Sequence, residues 1–341
     1  MKILIDIGHP AHVHYFKYLI SHLKNTGDKI LVIARDKEVS HKLLDAYNIS
    51  YASRGKGKNS AIGKLLYLIT ADLKVYKLAR KFKPDLFLSV ASPYAAQVAW
   101  LMKKPHIAID DTEAATTARK FYLPFSNQVI TPDCFEKDLG KKHVRVNSFT
   151  ELFYLHPNRY SPKPVDKLLG LKNREKFVLL RFVSWNANHD IGQKGISLEI
   201  KNQLIEKLKI LGFKILISSE GELPSQFKEY KIQIPPERMH DVLASASLFI
   251  GEGATMASEC VMLGTPAIYV NSLTAGTLNE QSKHYGLISL RNGDELIQEL
   301  DQLLNTDFTQ KAKIYKEKML REKIDFTLFL TDFIENFKTK N

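Results

Sequence analysis

Three stretches of the sequence carry residue types able to do chemistry. The first, GHPAHVHYFKYL at residues 8–19, gathers His9, His12 and His14 just after a strand-like start. A metal site, a catalytic base and a plain polar loop are all open to such a cluster. The second, IDDTEAATTARKFY at 109–122, ends a strand on Asp110, Asp111 and Glu113. These carboxylates could orient a substrate or take a proton, or Asp111 or Thr112 could simply cap the next helix. In the third, GEGATMASECVMLGTPAIYV at 251–270, a strand ends in glycines and a helix begins. Free N–H groups at Ala254, Thr255 and Met256, with the helix dipole, suit a diphosphate. Thr255 could cap that helix and reach a phosphate oxygen, and Glu259, one turn on, could accept from ribose hydroxyls. A glycine-bounded turn of this kind can also be purely structural.

The elements that must position these groups follow from hydrophobic patterning. ILIDI (3–7), ILVIA (30–34), DLFLSV (85–90) and HIAID (106–110) read as strands, apolar almost throughout and separated by amphipathic helices. That pattern indicates a parallel sheet covered on both faces. The proline-bearing stretch LHPNRYSPKP (155–164) separates a second run of the same kind: FVLLRFV (177–183), FKILISS (213–219), LFIG (248–251) and PAIYV (266–270). The expected fold is α/β, with two Rossmann-like doubly wound domains at 1–155 and 165–325 and a helix at 326–341 packing back on the first. Ligands of open parallel sheets bind beyond the carboxyl ends of the strands, where all three stretches fall. So does RFVSWNANHD (181–190), in which Arg181 could reach a phosphate and Ser184 and His189 have weaker support.

Composition narrows the partners. The 341 residues are 44% hydrophobic and 25% charged, an ordinary globular balance, and the net charge of +12 points to anionic partners. Two cysteines, Cys134 and Cys260, give neither a disulfide framework nor a paired-cysteine metal motif, and no metal or cofactor is expected. MKILIDIGHP lacks a signal peptide's apolar core, which points to a reduced, cytoplasmic protein. From Arg54 to Lys83 there are nine Lys or Arg and one acid, Asp72, with Ile62, Leu65, Leu66, Ile69, Leu73 and Tyr76 as an apolar helical stripe. Either a membrane-surface helix or a core-packed helix with a basic outer face fits. No recognised nucleic-acid module accompanies the charge.

GATMASECVMLGTPAIYV resembles the donor-binding segment of GT-B glycosyltransferases and of UDP-N-acetylglucosamine 2-epimerases. GHPAHVHYFK, IDDTE and TMASECVMLGTP together resemble the family called domain of unknown function 354, over nearly the whole chain. The opening is also similar to the lipid-linked N-acetylglucosaminyltransferase of peptidoglycan synthesis, where His12 matches the histidine proposed to activate the acceptor. The resemblance implies a GT-B fold with two domains facing a cleft, and transfer of a sugar from a UDP-linked donor to a glycan or lipid-linked acceptor in surface-polysaccharide assembly at the inner membrane face. The expected catalytic set is His12, Asp110 and Asp111. The expected nucleotide-binding set is Arg181, Ser184, Ser219, Met239, Gly253, Ala254, Thr255, Met256 and Glu259. Retaining enzymes of this fold often carry a second glutamate eight positions before the ribose-holding one; Gly251 stands there, which favours inversion. RFVSWNANHD replaces the epimerases' His-Arg-x-Glu-Asn segment, and no Asp-x-Asp triplet occurs. An epimerase and a non-catalytic nucleotide-sugar-binding protein are the alternatives.

Overall fold

Strands buried on both faces pair in parallel and leave their connections to helices, and both halves of this chain do so. The computed structural model describes residues 1–37, 39–57, 61–172, 175–182, 196–219 and 221–340. Two compact units result, Met1–Tyr154 with Ile324–Asn341, and Leu155–Lys323.

In unit 1, seven strands, β1 (Lys2–Ile7), β2 (Lys29–Arg35), β3 (Tyr51–Gly55), β4 (Leu86–Val90), β5 (His106–Ile109), β6 (Gln128–Pro132) and β7 (His143–Val146), form one sheet in the order β3-β2-β1-β4-β5-β6-β7. They alternate with α1 (Pro10–Asn25), α2 (Ser40–Ala46), α3 (Ala61–Phe82), α4 (Pro93–Leu101) and α5 (Thr116–Tyr122). The order reverses at β1, which lies between β2 and β4, so the carboxyl end of β1 opens on a switch point.

Unit 2 contains α6 (Asp166–Leu169), β8 (Phe177–Phe182), α7 (Leu198–Ile210), β9 (Lys214–Ser219), α8 (Met239–Ser245), β10 (Leu248–Gly251), α9 (Ala254–Leu263), β11 (Ala267–Val270), α10 (Gly276–His284), β12 (Ile288–Leu290), α11 (Leu296–Leu304) and α12 (Phe308–Glu322). Its sheet runs β12-β11-β10-β8-β9 and reverses at β8, between β9 and β10. Val178, Leu180, Ile217, Leu248, Ile250 and Ile268 fill its core.

The last helix, α13 (Phe326–Lys340), belongs to unit 1. Phe326 stacks on Phe153 at 4.0 Å and Thr327 Oγ1 donates to the Phe153 carbonyl at 2.6 Å. Lys338 meets Asp28 at 2.6 Å, and Asp28 also takes the terminal amine of Met1 at 2.7 Å.

Four strands escape the sequence patterning: β3, β6, β7 and β12. β3 and β7 are sheet edges carrying Ser53, Arg54, His143 and Arg145, so neither reads as an apolar run. The stripe of α3 also differs. Tyr67, Ala71, Val75 and Ala79 are its buried face, whereas Ile69 and Leu73 are each 54% exposed. The helix packs on the core, yet its outer face is not purely basic. Among the described residues no helix is long and apolar enough to cross a membrane.

Candidate functional site

In unit 1 the polar groups gather where β1 hands over to α1. Pro10 opens α1, and His9 caps it, its Nδ1 accepting the Ala11 N–H at 3.3 Å. His12, one turn in, accepts the Gly8 N–H at Nδ1, also at 3.3 Å. Neutral His12 therefore carries its proton on Nε2. Burial, then the charges of His9, Lys37 and Arg54, hold its pKa well below the ordinary imidazole value. His14 is buried against Tyr47 and Tyr154, with Nδ1 3.3 Å from the Tyr47 hydroxyl, so it belongs to the packing.

Beneath this turn lies a buried ion pair. Asp6 is fully buried in β1 and binds Arg54 Nε at 2.9 Å, and Ser92 Oγ donates to its other oxygen at 2.5 Å. Arg54 also donates to the Tyr67 hydroxyl at 2.9 Å and lies 4.3 Å over the Tyr94 ring. The residue that heads the basic stretch in sequence is thus an interior cation, 5% exposed.

The two neighbouring aspartates part company. Asp110 is buried and saturated by Arg119 at 3.2 Å, the Tyr122 hydroxyl at 2.5 Å and the Thr112 N–H at 3.0 Å. Burial pushes its pKa up. This geometry makes it a clamp on α5 and ill-suited to the proton-taking role expected of it. Asp111 is half-buried and accepts the Tyr15 hydroxyl at 2.6 Å and Thr150 at 3.2 Å on one oxygen, and Thr112 at 2.9 Å on the other. Tyr15, whose ring is 6.0 Å from that of His12, links Asp111 to the histidine turn. Burial and then the Asp111 charge raise the Tyr15 pKa, which keeps it a neutral donor.

In unit 2 the β10–α9 turn is built around Arg181. A Cβ on Gly251 would lie 2.6 Å from Arg181 Cβ and 2.9 Å from its carbonyl, and one on Gly253 would lie 3.4 Å from its side chain. The glycines therefore let the loop lie directly on β8. Arg181 donates to Ser218 at 3.0 Å. Helix α9 starts at Ala254 with Gly253 as N-cap and no side-chain cap, so the capping expected of Thr255 is not made. Thr255 instead lies in the first turn with its side chain exposed, beside the N–H groups of Ala254 and Met256. Glu259 is 5% exposed, and its Oε1 lies 3.0 Å from Nε2 of buried His240. Met239, half-buried, begins α8 immediately before that histidine, and Ser219 Oγ accepts the Gly221 N–H at 3.3 Å. Ser184 and His189 lie outside the described residues.

Two groups here escape sequence reasoning. His240 meets Glu259 across 19 residues, and no local spacing announces that pairing. Glu252 looks like a loop residue but is buried, accepting the Ile196 N–H at 2.8 Å while Asn271 donates to its carbonyl at 3.0 Å. Its place between two glycines was the available signal.

Two parallel-sheet Rossmann-like units with a glycine-led helix start after β10 make a GT-B-like fold. Residues 1–337 match the family described as protein of unknown function (DUF354), and the chain belongs to that family. An uncharacterised protein of Methanocaldococcus jannaschii is 25% identical over 281 residues, 79% of this chain and 81% of its own. Among solved structures, the UDP-GlcNAc 2-epimerase of Neisseria meningitidis bound to UDP-GlcNAc is similar at TM-score 0.68 and 14% identity, covering 100% of both chains. A glycosyltransferase of Streptomyces sp. SF2575 is similar at TM-score 0.61 and 14% identity, covering 98% of this chain and 99% of its own. At such identities the likeness is one of fold.

Proposed function

We propose that this protein is an inverting glycosyltransferase that takes a UDP-linked sugar at the β10–α9 turn of unit 2 and an acceptor at the β1–α1 turn of unit 1. The observation that carries the reading is the α9 start: unobstructed by a side-chain cap, lined by Arg181, with the Glu259–His240 pair one turn inside. The N–H groups of Ala254, Thr255 and Met256 and the Arg181 guanidinium suit the charge that develops on a departing diphosphate. Glu259, fixed by His240, suits the ribose hydroxyls. The similar epimerase bound to UDP-GlcNAc supports a nucleotide-sugar ligand of this class. Asp111 is the proposed proton acceptor and His12 a hydrogen-bond donor to the acceptor; Asp110 holds the segment in shape. The setting we propose is glycan or lipid-linked acceptor chemistry in surface-polysaccharide assembly.

Calorimetry with UDP tests the donor site. Glu259→Ala removes one or two hydrogen bonds to a charged group, about 1.5–3 kcal/mol each, so UDP affinity should fall at least tenfold. A folded variant that binds UDP like the native chain would remove this site from the account. The fold likeness to epimerases favours one second reading, conversion of UDP-GlcNAc without an acceptor. Epimerised nucleotide sugar after incubation with UDP-GlcNAc alone would establish it, and binding with no product from any acceptor would leave a binding protein.

The outer face of α3 supports peripheral membrane contact, because exposed Ile69 and Leu73 stand among exposed Lys74, Lys77, Arg80 and Lys81. Co-sedimentation with anionic vesicles should exceed that with neutral ones and fall as salt rises, since screening sets in beyond about 8 Å at physiological ionic strength. Equal binding to both, or to neither, would leave α3 a core helix alone.

A further inference from the structure

Unit 1 carries a cluster of lysines and aromatic rings at the amino edge of its sheet, the end opposite the β1–α1 turn. In a parallel sheet each crossover helix stops where the next strand starts, so the ends of α4 and α5 meet the starts of β5 and β6 there. Between them opens a cavity of about 610 Å³. Trp100, Pro124 and Phe125 form its apolar wall, Lys103, Lys104 and Lys142 its basic one, and Phe337 of α13 also lines it. No acidic residue does.

The main chain positions these cations. Helix α4 stops in a left-handed residue, Lys103 at φ 55°, whose N–H returns to the Trp100 carbonyl at 3.0 Å, and the Lys104 N–H returns to Ala99 at 2.9 Å. Both lysines leave this turn exposed. Lys142 Nζ donates to the carbonyls of Leu123 and Pro124 at 3.2 and 3.0 Å, which fix an ammonium beside the cavity without neutralising it.

The apolar groups continue past the cavity. Trp100 is 63% exposed, with its ring edge-on to Phe125 at 5.6 Å, and Leu101 beside it is 60% exposed. Gln97, one turn before Leu101, donates to the Phe121 carbonyl at 3.0 Å, which brings exposed Lys120 and Phe121 to the same flank. A ring with one polar edge, exposed apolar side chains and long cations around them make a surface suited to the water–lipid boundary. A soluble anion would engage the lysines and leave Leu101 and Phe121 in water.

We propose that this cavity takes the phosphate of an anionic phospholipid while Trp100, Leu101 and Phe121 enter the headgroup layer. The lipid is an anchor there and not a sugar acceptor, because His12 and Asp111 lie at the other edge of the sheet. The inference shares with the α3 reading only that unit 1 meets a membrane; it needs neither Ile69 nor Leu73.

Trp100 can report on its own insertion. In a full chain carrying Trp185→Phe it is the one tryptophan left, and its emission should move to the blue on phosphatidylglycerol vesicles and stay in place on phosphatidylcholine. Co-sedimentation with the anionic vesicles should fall about fivefold for each cation removed in Lys103→Asn and Lys104→Gln, and at least as far in Trp100→Ala. All three positions are exposed, so each variant should melt like the native chain. Leu73→Gln should keep the Trp100 shift. If Leu73→Gln instead abolishes binding while Trp100→Ala binds like the native chain, the contact belongs to α3 alone and the cavity proposal falls. An unmoved Trp100 on every vesicle would also overturn it. So would an equal shift with glycerol 3-phosphate and no lipid, which gives the cavity to a soluble anion. A shift with polyglutamate and none with vesicles would give the face to an acidic protein partner.

Discussion

Asp6→Ala should destabilise unit 1 by about 3–5 kcal/mol, the cost of removing one partner from a buried ion pair. Asp6 is fully buried and Arg54 is 5% exposed, so the guanidinium left behind has no route to water without disturbing β3 and the Tyr67–Tyr94 face. Ser92 Oγ loses its acceptor at the same time, and it also caps α4 by accepting from Ala95 at 3.4 Å. Asp6→Asn keeps an acceptor oxygen and should cost less. Chemical denaturation followed by a unit 1 probe reads the effect, since a chain of two units need not unfold in one step. An unchanged midpoint for Asp6→Ala would show that the pair contributes nothing. Asp72→Asn is the control with the opposite sign. The native state holds the Asp72 proton up to about 7 against the ordinary carboxyl value of 3.8, mainly through burial, with Asp6 adding to the shift and Arg54 opposing it. Native Asp72 thus favours folding at low pH and loses that contribution as pH rises through about 7. The asparagine variant should melt higher than the native chain at pH 8 and show little advantage at pH 4.

The Asp6–Arg54 pair also shows where sequence legibility ended. Both parallel sheets were readable because strands such as ILIDI and LFIG are apolar almost throughout and their helices are not. The β10–α9 turn was readable because glycines bound it and its groups follow one another along the chain. What could not be read is pairing across distance. Arg54 looked like the first charge of a solvated stretch, and only a partner 48 residues away makes it an interior cation. His240 carried no spacing signal toward Glu259 for the same reason. Adjacent Asp110 and Asp111 looked interchangeable, yet a strand end sends successive side chains to opposite sides. One meets Arg119 and Tyr122 inside, and the other meets Tyr15 at the histidine turn. The aspartate inside the otherwise apolar ILIDI was a signal the pattern did contain: a charge in a buried strand needs a buried partner.

Transfer by Asp111→Asn should fall about 10²–10⁴-fold, the usual cost of losing a general base. The asparagine keeps an oxygen for Tyr15 and Thr150, so the turn should hold its shape while the proton acceptor disappears. UDP affinity should be unaltered, because unit 2 is untouched. His12 separates the two possible bases. A base needs an open lone pair on Nε2, but the Gly8 N–H occupies Nδ1 and leaves the neutral ring protonated at Nε2. His12→Gln places an amide N–H near that position and should cost about tenfold, the value of one hydrogen bond to a charged group. If His12 were the base, the same variant would fall as far as Asp111→Asn, because an amide takes no proton. A native-like rate in Asp111→Asn, with a collapsed one in His12→Gln, would return the proton to the histidine.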